Sequence, residues 1–358
     1  MNNKVARTAM TPGAPGTHYP FVTRLVMELV AQDLLPNIAT VQIEPMFGHV
    51  GRLVYRDGRV RFFRNTSLGI NNLGASEISR DKGYTKYFLE LLGYSTPRGK
   101  VFLFRDFLRI LKGKLSRYGV EELADADAAP EWVQSIIGYP CYVKRNDSSQ
   151  GRGVERCGSV DELVEALARL RAQGLQKVLI EESIALPDYR VVVLGEEVIS
   201  CYRRLPLTVV GNGVSSIERL MAQKQELFCE AGRDTVIDCA DSRISRKLKR
   251  HGLSMETVLG EDVSFELHDI SNLSAGGEAE DVLERMHASW RELCVSVTAR
   301  MGLFLCGVDL FCEDISKPDK KYSILELNAA PGLDNYAASG TCQAEVVRSL
   351  YRKVLNSG

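Results

Sequence analysis

Three oxygen-bearing side chains near the end of the chain, Asp309, Glu326 and Asn328, have the types and spacing to hold a hard cation. They lie in the stretch LCGVDLFCEDISKPDKKYSILELNAAPGL (305–333). Its pattern predicts two apolar strands, 305–312 and 322–328, broken by the polar turn Ser316-Lys317-Pro318-Asp319. Side chains alternate faces along a strand, so Glu326 and Asn328 point the same way. In an antiparallel pair Asp309 sits opposite them. Buried carboxylates need a compensating charge. Oxygen donors without His or Cys select Mg²⁺, or Mn²⁺ in its place. The same carboxylates also suit strand-end ion pairs with Lys or Arg, and spacing alone does not separate the two readings.

Other residues have the types that handle phosphate. Lys144 ends an apolar strand over 140–145, and the loop after it holds Ser148, Ser149, Gly151 and Gly153. Glycines let backbone N–H groups approach a phosphate, and serine hydroxyls add donors. A tight hairpin explains the loop equally well. It is neither a GxxxxGK[ST] loop nor a GxGxxG fingerprint. Lys82 falls in the first turn of a helix expected over 79–92, where a solvated lysine is also ordinary. A strand over 178–184 runs into Glu181, Glu182, Ser183 and Ile184. Asp188, Arg190 and Arg204 follow on two further strands. Arginines there suit a phosphate or carboxylate ligand, or an ion pair on the sheet face.

The rest of the chain must position these groups. Helices are expected over 21–34, 161–170, 281–301 and 343–355, and strands over 38–43, 51–55 and 60–63 with an Asp57-Gly58 hairpin turn. Residues 231–248 read as a polar, basic segment. At 358 residues the chain holds two or three packed units, and 45% apolar with 25% charged residues is ordinary for a globular protein. A formal net charge of −1 gives no reason to expect nucleic acid. No apolar run is long enough to span a membrane, and residues 1–20 lack a signal-peptide core and are expected as a disordered lead-in. Nine scattered cysteines suit reduced thiols in the cytoplasm.

The order of the features resembles the ATP-grasp superfamily of carboxylate–amine ligases. The likeness covers 74–355. It rests on ASEISRDKGYTK (75–86), YVKRNDSSQGRGV (142–154), LIEESI (179–184), RLPLTVVGNG (204–213), SNLSAGGE (271–278), CGVDL (306–310) and ILELNAAPG (324–332). The subgroup resembled is the ligase domains of cyanophycin synthetase and bifunctional glutathione synthetase. The resemblance implies an α/β (α+β) ATP-grasp fold holding the nucleotide between two α+β subdomains, 79–185 and 186–358. A small α/β N-terminal domain, 21–78, precedes them. Lys82 and Lys144 would hold ATP phosphates, and the 148–153 loop would close over the γ-phosphate. Glu181, Glu182, Ser183 and Ile184 would receive adenine, and Asp188 the ribose hydroxyls. Asp309, Glu326 and Asn328 would ligate two Mg²⁺ ions, and Arg204 would lie near phosphate or acyl substrate.

One departure matters. Many of these ligases carry an arginine two or three residues before the first metal aspartate, and here those positions are Gly307 and Cys306. Arg243 is a candidate to stabilise charge instead, and the Gly276 and Gly277 amides to receive an oxyanion. Arg233 or Arg243 is expected to clamp a substrate carboxylate. The implied reaction joins amino acids or short peptides through an acyl phosphate, releasing ADP and phosphate. Partners are then small molecules, with neither nucleic acid nor membrane, and a homodimer is compatible. An ATP-binding regulatory module and a small-molecule kinase on the same fold remain open.

Overall fold

The computed structural model describes residues 9–10, 19–115, 123–147, 153–318 and 321–357. The two strands expected around the carboxylates form at the expected bounds, Leu305–Cys312 and Tyr322–Asn328, and pair antiparallel with Asp309 opposite Glu326. They complete a five-stranded sheet in the order Glu278–Asp281, Glu197–Leu205, Asp188–Leu194, Leu305–Cys312, Tyr322–Asn328. Strand Asp188–Leu194 sits at its centre. Val191 and Val193 enter one core, with Trp290, Cys294 and Val297 of helix Ala288–Arg300. Val192 and Leu194 enter another, with residues of helices Phe21–Ala31 and Thr341–Asn356. Burial on both faces explains why this strand reads as an unbroken apolar run.

The N-terminal strands Ile38–Ile43, Val50–Tyr55 and Val60–Arg64 share that second core, through Val41, Leu53 and Phe63. Ala9 and Met10, inside the stretch expected as a lead-in, pair in parallel with Thr40 and Val41. Asn71 ties this unit to the carboxylate hairpin. Its Nδ2 donates to the carbonyls of Leu305 and Ala329, each at 2.7 Å, and its Oδ1 accepts from the amides of Phe304 and Leu305 at 2.7 and 2.9 Å. Asn71→Ala strands these main-chain groups, and is expected to lower stability by about 1–3 kcal/mol in urea unfolding. An unchanged midpoint would mean water replaces the tie.

A four-stranded antiparallel sheet carries the lysine strand, in the order Gly99–Leu103, Lys177–Glu182, Cys141–Arg145, Val154–Cys157. Helix Val160–Ala172 covers it with Leu163, Ala166, Leu167 and Leu170, a helical-face spacing, and Ser159 caps the helix by accepting from the Glu162 amide.

Three local expectations change. The helix expected over 79–92 is two helices, Leu73–Arg80 and Lys82–Leu91. Asp81 is extended between them, and its side chain accepts from the Tyr84 amide. Lys82 therefore opens a helix, its own amide bonded to the Asn146 carbonyl at 3.0 Å. The helix expected from 281 begins at Ala288, capped by His287, because Glu278–Asp281 is drawn into the sheet beside Tyr202–Leu205. The basic segment holds a helix, Ser242–Arg250, whose Ile244 and Leu248 join a separate small core. Among the described residues no helix is long and apolar enough to cross a membrane.

Candidate functional site

A cavity of about 410 Å³ opens between the lysine sheet and the five-stranded sheet. That volume suits a cofactor-sized ligand. Lys82, Lys144, Glu182, Ile184, Asp188, Arg204, Asp309 and Glu326 all line it, so residues far apart in sequence share one chamber.

Their charges are paired. Asp309, with 1% of its side chain exposed, accepts a two-point fork from Arg190, Nε to Oδ1 and Nη2 to Oδ2, the latter at 3.1 Å. Arg204 bridges Asp188 and Asp309, with Nη2 2.7 Å from Asp188 Oδ1 and 3.0 Å from Asp309 Oδ2. Lys82 Nζ lies 3.3 Å from Glu326 Oε2, and Lys144 Nζ donates to Glu181 Oε2 at 2.6 Å. Pairing is what permits such burial. Burial opposes the Glu326 charge, yet Lys82, Arg190, Arg204 and Lys144 together hold its carboxyl down to about 2. Burial pushes the Asp188 carboxyl up, against the pull of Arg204.

The donor set fits a hard cation in chemistry. Asp309 faces Glu326 across the strand pair, and Asn328 Nδ2 donates to Glu326 Oε1 at 3.3 Å, so the three side chains adjoin. Among the described residues no group of three or more His, Cys, Asp or Glu suits a metal ion. A polyphosphate with its metal would exchange partners within the present set, cations turning to phosphate oxygens and carboxylates to the metal.

Other expected residues stand elsewhere. Ser148, Ser149 and Gly151 lie outside the described residues. Gly153 is in a turn with φ +68°, and a Cβ there would come 2.5 Å from Arg145 Cδ, so both backbone and space require glycine. Glu181 turns from the cavity to Lys144, and Ser183 is not part of the lining. Glu182 lines the cavity, but Arg98 holds its carboxylate through the main-chain N–H at 2.7 Å and Nε at 2.8 Å.

The expected oxyanion donors are already used. The Gly276 amide donates to the Leu273 carbonyl at 3.1 Å, and the Gly277 amide to Asn272 at 3.0 Å. Arg243 is outside the lining and is held by Asp241, Nη2 to Oδ2 at 2.6 Å. Arg233 donates to the carbonyls of Leu273 and Gly277 and lies over the Phe228 ring, so it braces the glycine loop rather than offering a clamp. Partners two to five residues away take the Gly276, Gly277 and Arg243 donors, while Arg233 is used across a tertiary contact.

Arg190 is the residue that sequence reading undervalued. Its position on a strand suited an anion, but nothing local named Asp309 as partner. The register does, placing Arg190 beside Asp309 on the adjacent strand.

Comparisons with known proteins agree with this geometry. Residues 117–227 match the family model of the D-ala D-ala ligase C-terminus, and 260–350 that of the RimK-like ATP-grasp domain. The chain is 32% identical over 269 residues to a cyanophycin synthetase of Geminocystis herdmanii, covering 73% of this chain and 28% of that protein. It is 32% identical over 214 residues to the glutathione biosynthesis bifunctional protein of Mannheimia succiniciproducens, covering 55% of this chain and 28% of that one. The chain thus spans under a third of the length of these relatives. The crystal structure of a bifunctional glutathione synthetase from Pasteurella multocida shares the fold with a TM-score of 0.54 at 21% identity, over 92% of this chain and 44% of that one. With the ordered motifs, the paired-charge cavity and these matches in agreement, the chain belongs to the ATP-grasp superfamily.

Proposed function

We propose that this protein is an ATP-dependent carboxylate–amine ligase acting on amino acids or short peptides through an acyl phosphate, with release of ADP and phosphate. The observation that carries the reading is the convergence of Lys82, Lys144, Arg204, Asp309 and Glu326 on one cavity. Phosphoryl transfer asks mainly for positioning and charge compensation, which this set offers. Lys82, at the first turn of its helix, and Lys144, on its strand, would receive phosphate oxygens. Glu182, Ile184 and Asp188, also on the cavity wall, would take the nucleoside. Asp309, Glu326 and Asn328 would hold magnesium, which when bound neutralises charge on the transferring phosphate. Arg204 would move between Asp309 and phosphate or acyl oxygens. We assign the reaction to the cytoplasm, in keeping with nine free cysteines.

The test is a phosphate-release screen of amino-acid pairs with Mg·ATP, with products identified by mass and hydroxylamine added as a trap. A ligase releases phosphate only when carboxylate and amine are both present, and yields a hydroxamate when hydroxylamine replaces the amine. Turnover without hydroxamate would remove the acyl phosphate. ADP formed with a single acceptor and a stable phosphate ester would indicate a kinase. Nucleotide binding with no turnover for any pair would indicate a regulatory module.

A further inference from the structure

Asp309 faces two arginines that differ in kind. Arg204 lines the cavity and is shared with Asp188, whereas Arg190 is outside the lining and has only Asp309 as a carboxylate partner among the described ion pairs. Arg190 grips both Asp309 oxygens from the neighbouring strand, a geometry that fixes the plane of a carboxylate. Its guanidinium passes beside Gly307, two residues before Asp309 and on the same strand face. A Cβ at Gly307 would come 3.2 Å from Arg190 Cδ and 3.3 Å from Nη1. Gly307 has no positive φ, so backbone conformation does not demand glycine there. Space is what is tight, against the arginine on one side and Pro331 Cβ on the other.

We propose that Arg190 is a positioning residue that orients Asp309 toward a divalent cation, and that Gly307 is glycine to leave room for it. Arg204 is then the exchangeable partner, leaving Asp309 as the cation and nucleotide arrive. Of the two arginines, Arg204 alone has a second carboxylate and an open cavity to turn to when a cation takes an Asp309 oxygen. The chain thereby places on an adjacent strand a positive charge that positions 306 and 307, Cys and Gly, do not carry. This inference rests on the nucleotide reading above.

The experiment measures calorimetric binding of a non-hydrolysable ATP analogue to the full chain, with Mg²⁺ and with EDTA. Arg190→Met is expected to weaken Mg²⁺-supported binding about 10–100-fold and leave binding in EDTA unchanged, as for loss of a group that orients a metal ligand. Arg190→Lys should recover part of the loss, and it keeps the test usable where the methionine variant does not fold. Gly307→Ala should reproduce the metal-dependent defect, and Arg190→Met with Gly307→Ala should be no worse than Arg190→Met alone. A Cβ at Gly307 also meets Pro331 Cβ at 3.0 Å. A defect that adds in the double variant would therefore assign the glycine to Pro331 and overturn its role here. Equal weakening with and without Mg²⁺ would make Arg190 a phosphate contact or a structural group, and unchanged or tighter Mg²⁺-supported binding would likewise overturn the proposal. If wild type binds no analogue under either condition, the nucleotide reading fails and this inference with it. If wild type binds and the variants keep its metal dependence, only this inference fails.

Discussion

Lys144→Ala is expected to cut ADP release sharply and to lower folding stability by about 3–5 kcal/mol. The two effects have separate causes. In the folded chain Lys144 and Glu181 form a buried pair at 2.6 Å, with 9% and 2% of their side chains exposed. Removing the lysine leaves a carboxylate between strands of the four-stranded sheet with no counter-charge, which is far costlier than losing an exposed pair. The activity loss follows from the proposed phosphate contact and should reach about 10²–10³-fold, the scale of removing one preorganised charge from a reacting group. Urea unfolding and an ADP-release assay with the substrates found by screening read the two quantities independently. Lys144→Met with Glu181→Gln should regain most of the stability, since no uncompensated charge remains, while staying inactive. Recovery of turnover in that double variant would show that Lys144 serves the fold alone.

Glu326→Gln should reverse that balance, with ADP release falling about 10²–10³-fold and stability by only about 1–2 kcal/mol. Glutamine keeps the volume and the oxygen facing Asn328, but loses the charge that meets Lys82. Acid titration adds a signature. The folded Glu326 carboxyl is held down to about 2, against an ordinary 4.5. A depressed carboxyl stabilises the fold at pH values above its unfolded pKa, and that contribution disappears as pH falls from about 4.5 toward 2. The stability difference between wild type and Glu326→Gln should therefore be largest above pH 5 and shrink below 4.5. A difference independent of pH would mean that the ion pair with Lys82 contributes nothing. Near-wild-type turnover in the variant would remove Glu326 from the proposed metal set.

Much of this site was legible in local pattern. The Leu305–Cys312 and Tyr322–Asn328 strands, the Ser159 cap and the lysine strand follow from alternation, breakers and capping chemistry, all properties of neighbouring residues. The helix expected from 281 starts only at Ala288, because pairing with Tyr202–Leu205 takes Asp281 into a strand, which no local pattern shows. Gly276 and Gly277 looked like free donors because a sequence does not show which carbonyl folds back onto an amide.

The sequence by itself determined the kinds of groups present and their order: lysines, a glycine loop, a Glu-Glu strand end, and the Asp and Glu-x-Asn pair that mark the superfamily. Only the tertiary structure decided their partners. Asp309 meets Arg190 and Arg204, Glu326 meets Lys82, and Arg233 braces a loop. The physical reason is that ion pairing inside a cavity depends on strand register and on the approach of separate sheets. Asp309 lies 119 residues from Arg190, yet the two are register neighbours.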